Sequence, residues 1–424
     1  MSVIKKIWAR QILDSRSIPT IETACQLDTG EVAVASVPGG TSTGTYEAVE
    51  LRDNDPQMFL GKSVMRAIDN VNNVLGPAVY GMDATNQEAI DKRLIEIDGT
   101  KNKSKYGGNA ILSISLAATK AGSQASRKPL YGWINEIAKR AGLNAPIKVP
   151  TPIFNMINGG LHGAGNLDFQ EFHVIPATSK TFSYCMKCGS EIYLTLGKDL
   201  ERRGAIHSVG DEGGYAPNLF TNADALEVLF ETIKQTQYQI GLDVFFGLDV
   251  AASVFYKDGV YTIRDKSAPL TDEGLLEYYK YLNNQYHLAL LEDPFHEDGW
   301  ESWKKLYEYF QGQLTVVGDD LLATNIDRLQ KAINEKACNG VLVKPNQTGT
   351  VTEAIQVVKR AREAGWRVVI SHRSGETNDW FIADFAVGVG SDFAKLGAPA
   401  RGERVAKYNR LLSIESELVR TTTS

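Results

Sequence analysis

The chain has 424 residues, 43% hydrophobic and 23% charged, with a net charge of −6, which describes an ordinary soluble globular protein with room for two domains. No long basic block occurs, which argues against nucleic acid as the main partner, and the apolar runs are too short and interrupted for a membrane span. Four cysteines do not make a disulfide framework and MSVIKKIWARQ lacks the apolar centre of a signal peptide, so a reducing, cytoplasmic setting is expected.

The first third begins with strand-like stretches, VIKKIWARQIL, PTIETACQL and EVAVASV, followed by helical patterns in KSVMRAIDNVNNVL and GNAILSISLAATKAGSQA, an α+β arrangement. Pro146, Pro150 and Pro152 in LNAPIKVPTP interrupt helical continuity and mark the expected boundary between a capping domain, 1–142, and a catalytic domain, 143–424. Cys185 and Cys188 form a C-x-x-C with no second pair at zinc-ligand spacing, so they are expected to be two small residues one helical turn apart.

Beyond the boundary, short apolar strands alternate with amphipathic helices: FFGLD then EGLLEYYKYLNNQ, LALLED then WESWKKLYEYF, TVVGDD then IDRLQKAINEKA. VLVK, VTEAIQVVKRAREAG, RVVISH, WFIADFAVG and DFAK continue the rhythm. This alternation predicts a parallel sheet, and the number of units favours a closed β/α barrel. The expected fold class is therefore α/β, an N-terminal α+β domain followed by a TIM-like barrel.

A polar residue stands at the end of each of six apolar runs: Asp249, Glu292, Asp319, Lys344, His372 and Lys395, spaced by 43, 27, 25, 28 and 23 residues. In a parallel barrel all strand ends open on one face, so these side chains should converge on one mouth. Single cases are readily supplied by caps and edge ion pairs, but a series of six is not. Asp249, Glu292 and Asp319 are hard oxygen ligands suited to Mg²⁺ rather than Zn²⁺. With a metal beside it, partial burial and a second cation at Lys395 are expected to favour a neutral Lys344, which could then serve as a base.

The motifs NGGLHGAGN (158–166), FQEF (169–172), VGDEGGYAPN (209–218), GLDVAAS (247–253), LEDPF (291–295), VGDD (317–320), VKPNQTGT (343–350), SHRSGET (371–377) and KLGAPARGERVAKYNRLL (395–412) resemble those of the enolase family. The likeness extends through ILDSRSIPT, STGTYEAVELRD and IDGTKNKSKYGGNAILSISLA, so it covers nearly the whole chain. What it implies is a reversible, Mg²⁺-dependent dehydration of 2-phosphoglycerate to phosphoenolpyruvate, a step of glycolysis and gluconeogenesis, in a cytoplasmic homodimer or higher homo-oligomer.

The resemblance implies site roles as well. Lys344 matches the general base, Glu212 the acid that helps hydroxide leave, and Glu171 a supporting carboxylate. Asp249, Glu292 and Asp319 match the ligands of a first Mg²⁺, and Ser42, in the glycine-rich lid PGGTSTGTYEA, a ligand of a second. Arg373 and Ser374 match the phosphate grip, Lys395 a contact to the substrate carboxylate, and His162 and His372 complete the pocket. His173, His207, His287 and His296 have no functional context in the sequence and are expected to be structural or surface groups.

Several positions depart from the family pattern: Ser17 and Ile18 in DSRSIPT, Gly39 and Thr41 in the lid, Leu161, Val254 and Thr348. They leave open a paralogue that eliminates water from a phosphonate-type analogue of the same phosphorylated hydroxy acid. A non-catalytic scaffold would be expected to have lost a ligand or the base, and each is present.

Overall fold

A computed structural model describes residues 2–40, 46–163, 165 and 167–423, apart from the side chains of 162 and 421–423. Strands β1 (Ile4–Leu13), β2 (Pro19–Leu27) and β3 (Val32–Ser36) form an antiparallel sheet in that order. Helices α1 (Met65–Asn70), α2 (Gln87–Asp98), α3 (Gly108–Ala125) and α4 (Leu130–Arg140) follow. The small residues of α3 let it lie buried against β2 and β3, where Thr23 and Ser113 satisfy each other's hydroxyls at 2.7 Å. A Cβ on Gly108 would lie 2.7 Å from the Ala48 Cβ. That glycine therefore admits the segment carrying Glu47, which continues into the barrel mouth.

The barrel comprises β4 (Thr151–Asn158), β5 (Glu171–Pro176) and β6 (Val244–Asp249). A small hairpin, β7 (Tyr256–Lys257) with β8 (Val260–Tyr261), interrupts the series. β9 (Leu288–Glu292), β10 (Thr315–Gly318), β11 (Gly340–Val343), β12 (Arg367–Ser371) and β13 (Phe393–Lys395) then close it, β13 pairing with β4. One expectation is corrected here: the barrel is not all parallel, because β5 runs antiparallel to both β4 and β6. The connection from β4 to β5 contains a short turn (Gly160–His162) instead of the crossover helix that a parallel pair needs.

Helices α5 (Phe182–Arg202), α6 (Asn222–Lys234), α7 (Asp272–Tyr286), α8 (Trp300–Phe310), α9 (Ile326–Glu335), the short α10 (Pro345–Thr348), α11 (Val351–Glu363), α12 (Phe381–Gly388) and α13 (Gly402–Thr423) accompany the strands. Side-chain caps start five of them, from Thr181, Thr221, Thr271, Asn325 and Thr350, each worth about 1 kcal/mol. Ile153, Ile175, Leu290, Val317, Leu342 and Val369 form an apolar cluster contributed by six of the barrel strands. Cys185 and Cys188 are buried free thiols on α5, as expected, and burial pushes both up to about 12. Among the described residues no helix is long and apolar enough to cross a membrane.

The DSRSIPT turn closes on Asp14, whose Oδ1 accepts the backbone N–H of Arg16 (2.8 Å) and of Ile18 (3.0 Å). Ser17 is forced into the left-handed region at φ 62°, where a side chain costs about 1–2 kcal/mol. Gly39 is tied to Gly375 by two reciprocal backbone hydrogen bonds of 2.8 and 2.9 Å. Ser17→Gly should raise stability by about 0.5–1 kcal/mol, because relief of strain exceeds the added freedom of the unfolded chain. A denaturant midpoint that falls in this variant would contradict the strain assigned to Ser17.

Candidate active site

The mouth of the barrel gathers the polar strand ends. Asp249, Glu292 and Lys395 are the last residues of β6, β9 and β13, while Asp319, Lys344 and His372 immediately follow β10, β11 and β12. Register does the rest: Glu171 pairs with Asp249, and Asp249 with Glu292, so three neighbouring strands carry carboxylates side by side. Glu171 belongs to this row because β5 is antiparallel, which brings its first residue to the mouth. Lys344 turns away from its strand because Pro345 opens α10 directly after it.

All these groups are buried except Lys344, which is nearly so, and their charges therefore depend on one another. Lys395 Nζ donates to Asp249 Oδ2 (2.8 Å) and to both Glu292 oxygens (2.9 and 3.0 Å), and lies 3.2 Å from Glu171 Oε1. Burial works against its charge, but Asp249, Glu171 and Glu292 outweigh burial and hold the amine protonated. Burial also raises Glu171 and Glu292 well above the usual carboxylate range, reinforced by Glu212 and Asp249 respectively. For Asp249 burial acts in the same sense, yet Lys395 prevails and lowers it.

Lys344 Nζ lies 2.5 Å from Asp319 Oδ2. Burial, Arg373 and Lys395 do disfavour its charge, but the Asp319 carboxylate overrides them and raises its affinity for a proton.

On the other side of the mouth, Glu212 Oε2 accepts from Asn155 Nδ2 at 3.1 Å and lies 3.5 Å from His372 Nε2. Arg373 Nη1 donates to Glu47 Oε2 (2.9 Å) and Asn346 Oδ1 (3.0 Å), and Arg16 Nη1 donates to Ser374 Oγ (3.1 Å). Ser42 lies outside the described residues, as does the side chain of His162. Of the six strand-end groups all but Glu292 line a cavity of about 70 Å³, together with Glu171, Glu212, Arg373 and Ser374, and with Leu161 and Val254, 54% and 49% exposed, among its lining residues. Thr348 lines a different cavity and takes no part in this one.

Several members were not foreseen. His173 Nε2 shares a hydrogen bond of 2.9 Å with Glu171 Oε2, and burial lowers the ring to about 3, which keeps the imidazole neutral. A period-two signal was present, since Glu171 and His173 share one face of β5. Asp293 accepts the backbone N–H of Asp319 (3.0 Å) and Asp320 (2.7 Å), fixing the turn after β10. Burial first, and Asp319 second, push Asp320 up to about 7.

The donor set fits a divalent cation. Glu171, Glu212, Asp249, Glu292, Asp293, Asp319 and Asp320, all buried or nearly so, crowd one mouth with Lys344 and Lys395, more hard-oxygen acids than lysines. Among the described residues, the carboxylate oxygens of Asp293, Asp319 and Asp320 approach within 4.8 Å of one another, whereas Asp249 and Glu292 face Lys395.

An eight-stranded β/α barrel whose mouth combines buried lysines, acids and a cation-suited carboxylate set defines a barrel enzyme of acid–base chemistry. Residues 4–134 match the family model of the enolase N-terminal domain, and residues 146–423 that of the enolase C-terminal TIM barrel domain. The chain belongs to the enolase family, a family of generally Mg²⁺-dependent lyases.

Lys395→Met should cost about 3–5 kcal/mol, the penalty for leaving buried carboxylates without their cation. Glu171 and Glu292 bind protons more tightly folded than unfolded, and losing Lys395 strengthens that preference. Stability supplied by such groups is present at low pH and lost as pH rises, so the deficit should be smaller near about pH 5 than near about pH 8. Urea unfolding at both values measures it; an equal deficit would contradict the charge balance.

Proposed function

We propose that this chain is an enolase acting on 2-phosphoglycerate, eliminating water reversibly to give phosphoenolpyruvate. The observation that carries the reading is the placement of Lys344 and Glu212 on one cavity. Lys344 follows β11, while the loop of Glu212 is bound to β4, Tyr215 and Asn158 sharing a backbone hydrogen bond of 2.8 Å. β4 stands three places from β11 in the ring of eight, so base and acid approach a substrate from different sides.

In this reading Lys344 takes the proton from the carbon next to the carboxylate, and Glu212 gives a proton to the departing hydroxyl, so hydroxide leaves as water. Lys395 contacts the substrate carboxylate. Arg373 and Ser374 hold the phosphate, for which the pairing of Arg373 with Glu47 reserves a preformed guanidinium. Glu171, oriented by His173, supports the acid.

Asp249, Glu292 and Asp319 would hold Mg²⁺, with Ser42 assigned to a second ion. Bound there, Mg²⁺ supplies the positive charge that a carboxylate bearing an adjacent carbanion needs. Residues 1–142 serve as the cap, which the reach of Glu47 and Arg16 to Arg373 and Ser374 supports.

A second reading draws on Leu161 and Val254, two exposed apolar side chains at an otherwise polar cavity. They favour an analogue with carbon where the phosphate ester has its bridging oxygen, a phosphonate.

Phosphoenolpyruvate formation from 2-phosphoglycerate, followed by ultraviolet absorbance, separates the two. Rapid turnover that requires Mg²⁺ supports the first reading, and turnover of the phosphonate alone supports the second. Full activity after exhaustive EDTA dialysis would remove Mg²⁺ from the account. Lys344→Ala should lower turnover by at least about 10²-fold and stop solvent exchange of the substrate proton; retained exchange would rule Lys344 out as the base.

A further inference from the structure

Arg404, three residues into α13, is fully buried and connects both loops that carry the acid side of the site. Its Nη1 lies 2.7 Å from His372 Nδ1 and donates to the Arg373 carbonyl at 2.7 Å. Its Nη2 donates to the carbonyls of Asp211 (2.9 Å) and Ser374 (2.5 Å). The Glu403 carboxylate lies 3.5 Å from Nε.

A guanidinium has donors and no acceptor. His372 Nδ1 must therefore present its lone pair to Arg404, and the single proton of a neutral imidazole resides on Nε2. A doubly protonated ring would set N–H against N–H. Burial agrees with a neutral ring, lowering His372 to about 4. The ring is also wedged in place: a Cβ on Gly397 would lie 3.0 Å from His372 Cε1, 3.0 Å from Arg404 Cδ and 2.7 Å from the Glu212 carbonyl oxygen. His372 Nε2 is buried, has no hydrogen-bond partner among the described residues, and faces Glu212 Oε2 at 3.5 Å in the cavity.

We propose that Arg404 is a positioning residue for the elimination, fixing His372 as the Nε2–H tautomer so that this N–H is aimed at the oxygen leaving beside Glu212. No proton moves from His372. Glu212 supplies the proton that completes the water, and the Nε2–H bond holds the departing oxygen as its negative charge develops. The proposal rests on the enolase reading for the identity of that oxygen, but the tautomer it requires does not depend on any substrate.

Long-range ¹⁵N–¹H correlation on full-length protein labelled at histidine reads the tautomer, the His372 signals being those lost in His372→Gln. A protonated Nε2 and an unprotonated Nδ1 are expected; the reverse, or a mixture, overturns the proposal. Arg404→Met should lower kcat on 2-phosphoglycerate by roughly tenfold or more while KM stays within about threefold. Added to His372→Gln it should cost less than about twofold further, because the effect runs through His372. Independent, multiplying losses would show that Arg404 only supports the loops, and would overturn it. If Arg404→Met does not fold, the spectrum of the unaltered protein still decides. If the unaltered protein ignores 2-phosphoglycerate but shows the expected tautomer, the enolase reading fails and the histidine assignment stands.

Discussion

The interaction on which the mouth of this barrel depends is the ammonium of Lys395 among Asp249, Glu292 and Glu171. A lone buried charge is not tolerated, and neither is a row of buried carboxylates. Each makes the other possible. The row exists because register aligns the ends of β6 and β9 with the start of β5, and that alignment requires an antiparallel β5. The reversed strand that departs from a regular barrel is thus what supplies Glu171 and its partner His173.

Compensation extends outward from this centre. Lys344 is balanced by Asp319, and Arg373 by Glu47, which arrives from the N-terminal segment. Asp293 spends its oxygens on the backbone of Asp319 and Asp320, so a buried acid shapes a turn. Farther out, Lys103 pairs with Glu353 at 2.9 Å and Lys120 with Asp379 at 2.8 Å, both across the contact between the N-terminal segment and the barrel. The N-terminal segment therefore does more than cover one side. Through Glu47, which stands between β3 and α1, it contributes a counter-charge to the group proposed to grip phosphate.

Much of this was legible because strand ends in a barrel share a face. Asp249, Glu292, Asp319, Lys344, His372 and Lys395 each follow an apolar run, and their convergence needs only the fold class. Glu171 carries no such mark, since it precedes its apolar run, and no residue pattern distinguishes a reversed strand inside a β/α series. Glu212 stands in a loop without strand periodicity and was reachable only through the resemblance. His173 shares a face of β5 with Glu171, but two polar residues make too short an alternation to mark a site by themselves. Glu47, Asn155 and Arg404 act across more than 30 residues of sequence, and such pairings follow from packing rather than local composition.

Asp319 has two roles in the proposed chemistry, and their order is constrained. A base must be neutral when it takes a proton, yet Asp319 holds Lys344 in its charged form. The same carboxylate belongs to the proposed ligand set. Its pull on the ammonium weakens once its charge is shared with a cation. Asp319 can therefore serve both assignments only if cation binding precedes proton abstraction, and Lys344 then becomes a competent base in the presence of the charge that would stabilise the product of its action. Asp249 and Glu292 beside Lys395 belong to the same ligand set, but Glu171, 3.2 Å from its Nζ, does not, so Lys395 keeps a carboxylate that a cation does not claim. In the proposed chemistry the two lysines are thus separated by which carboxylates remain to each once a cation is bound.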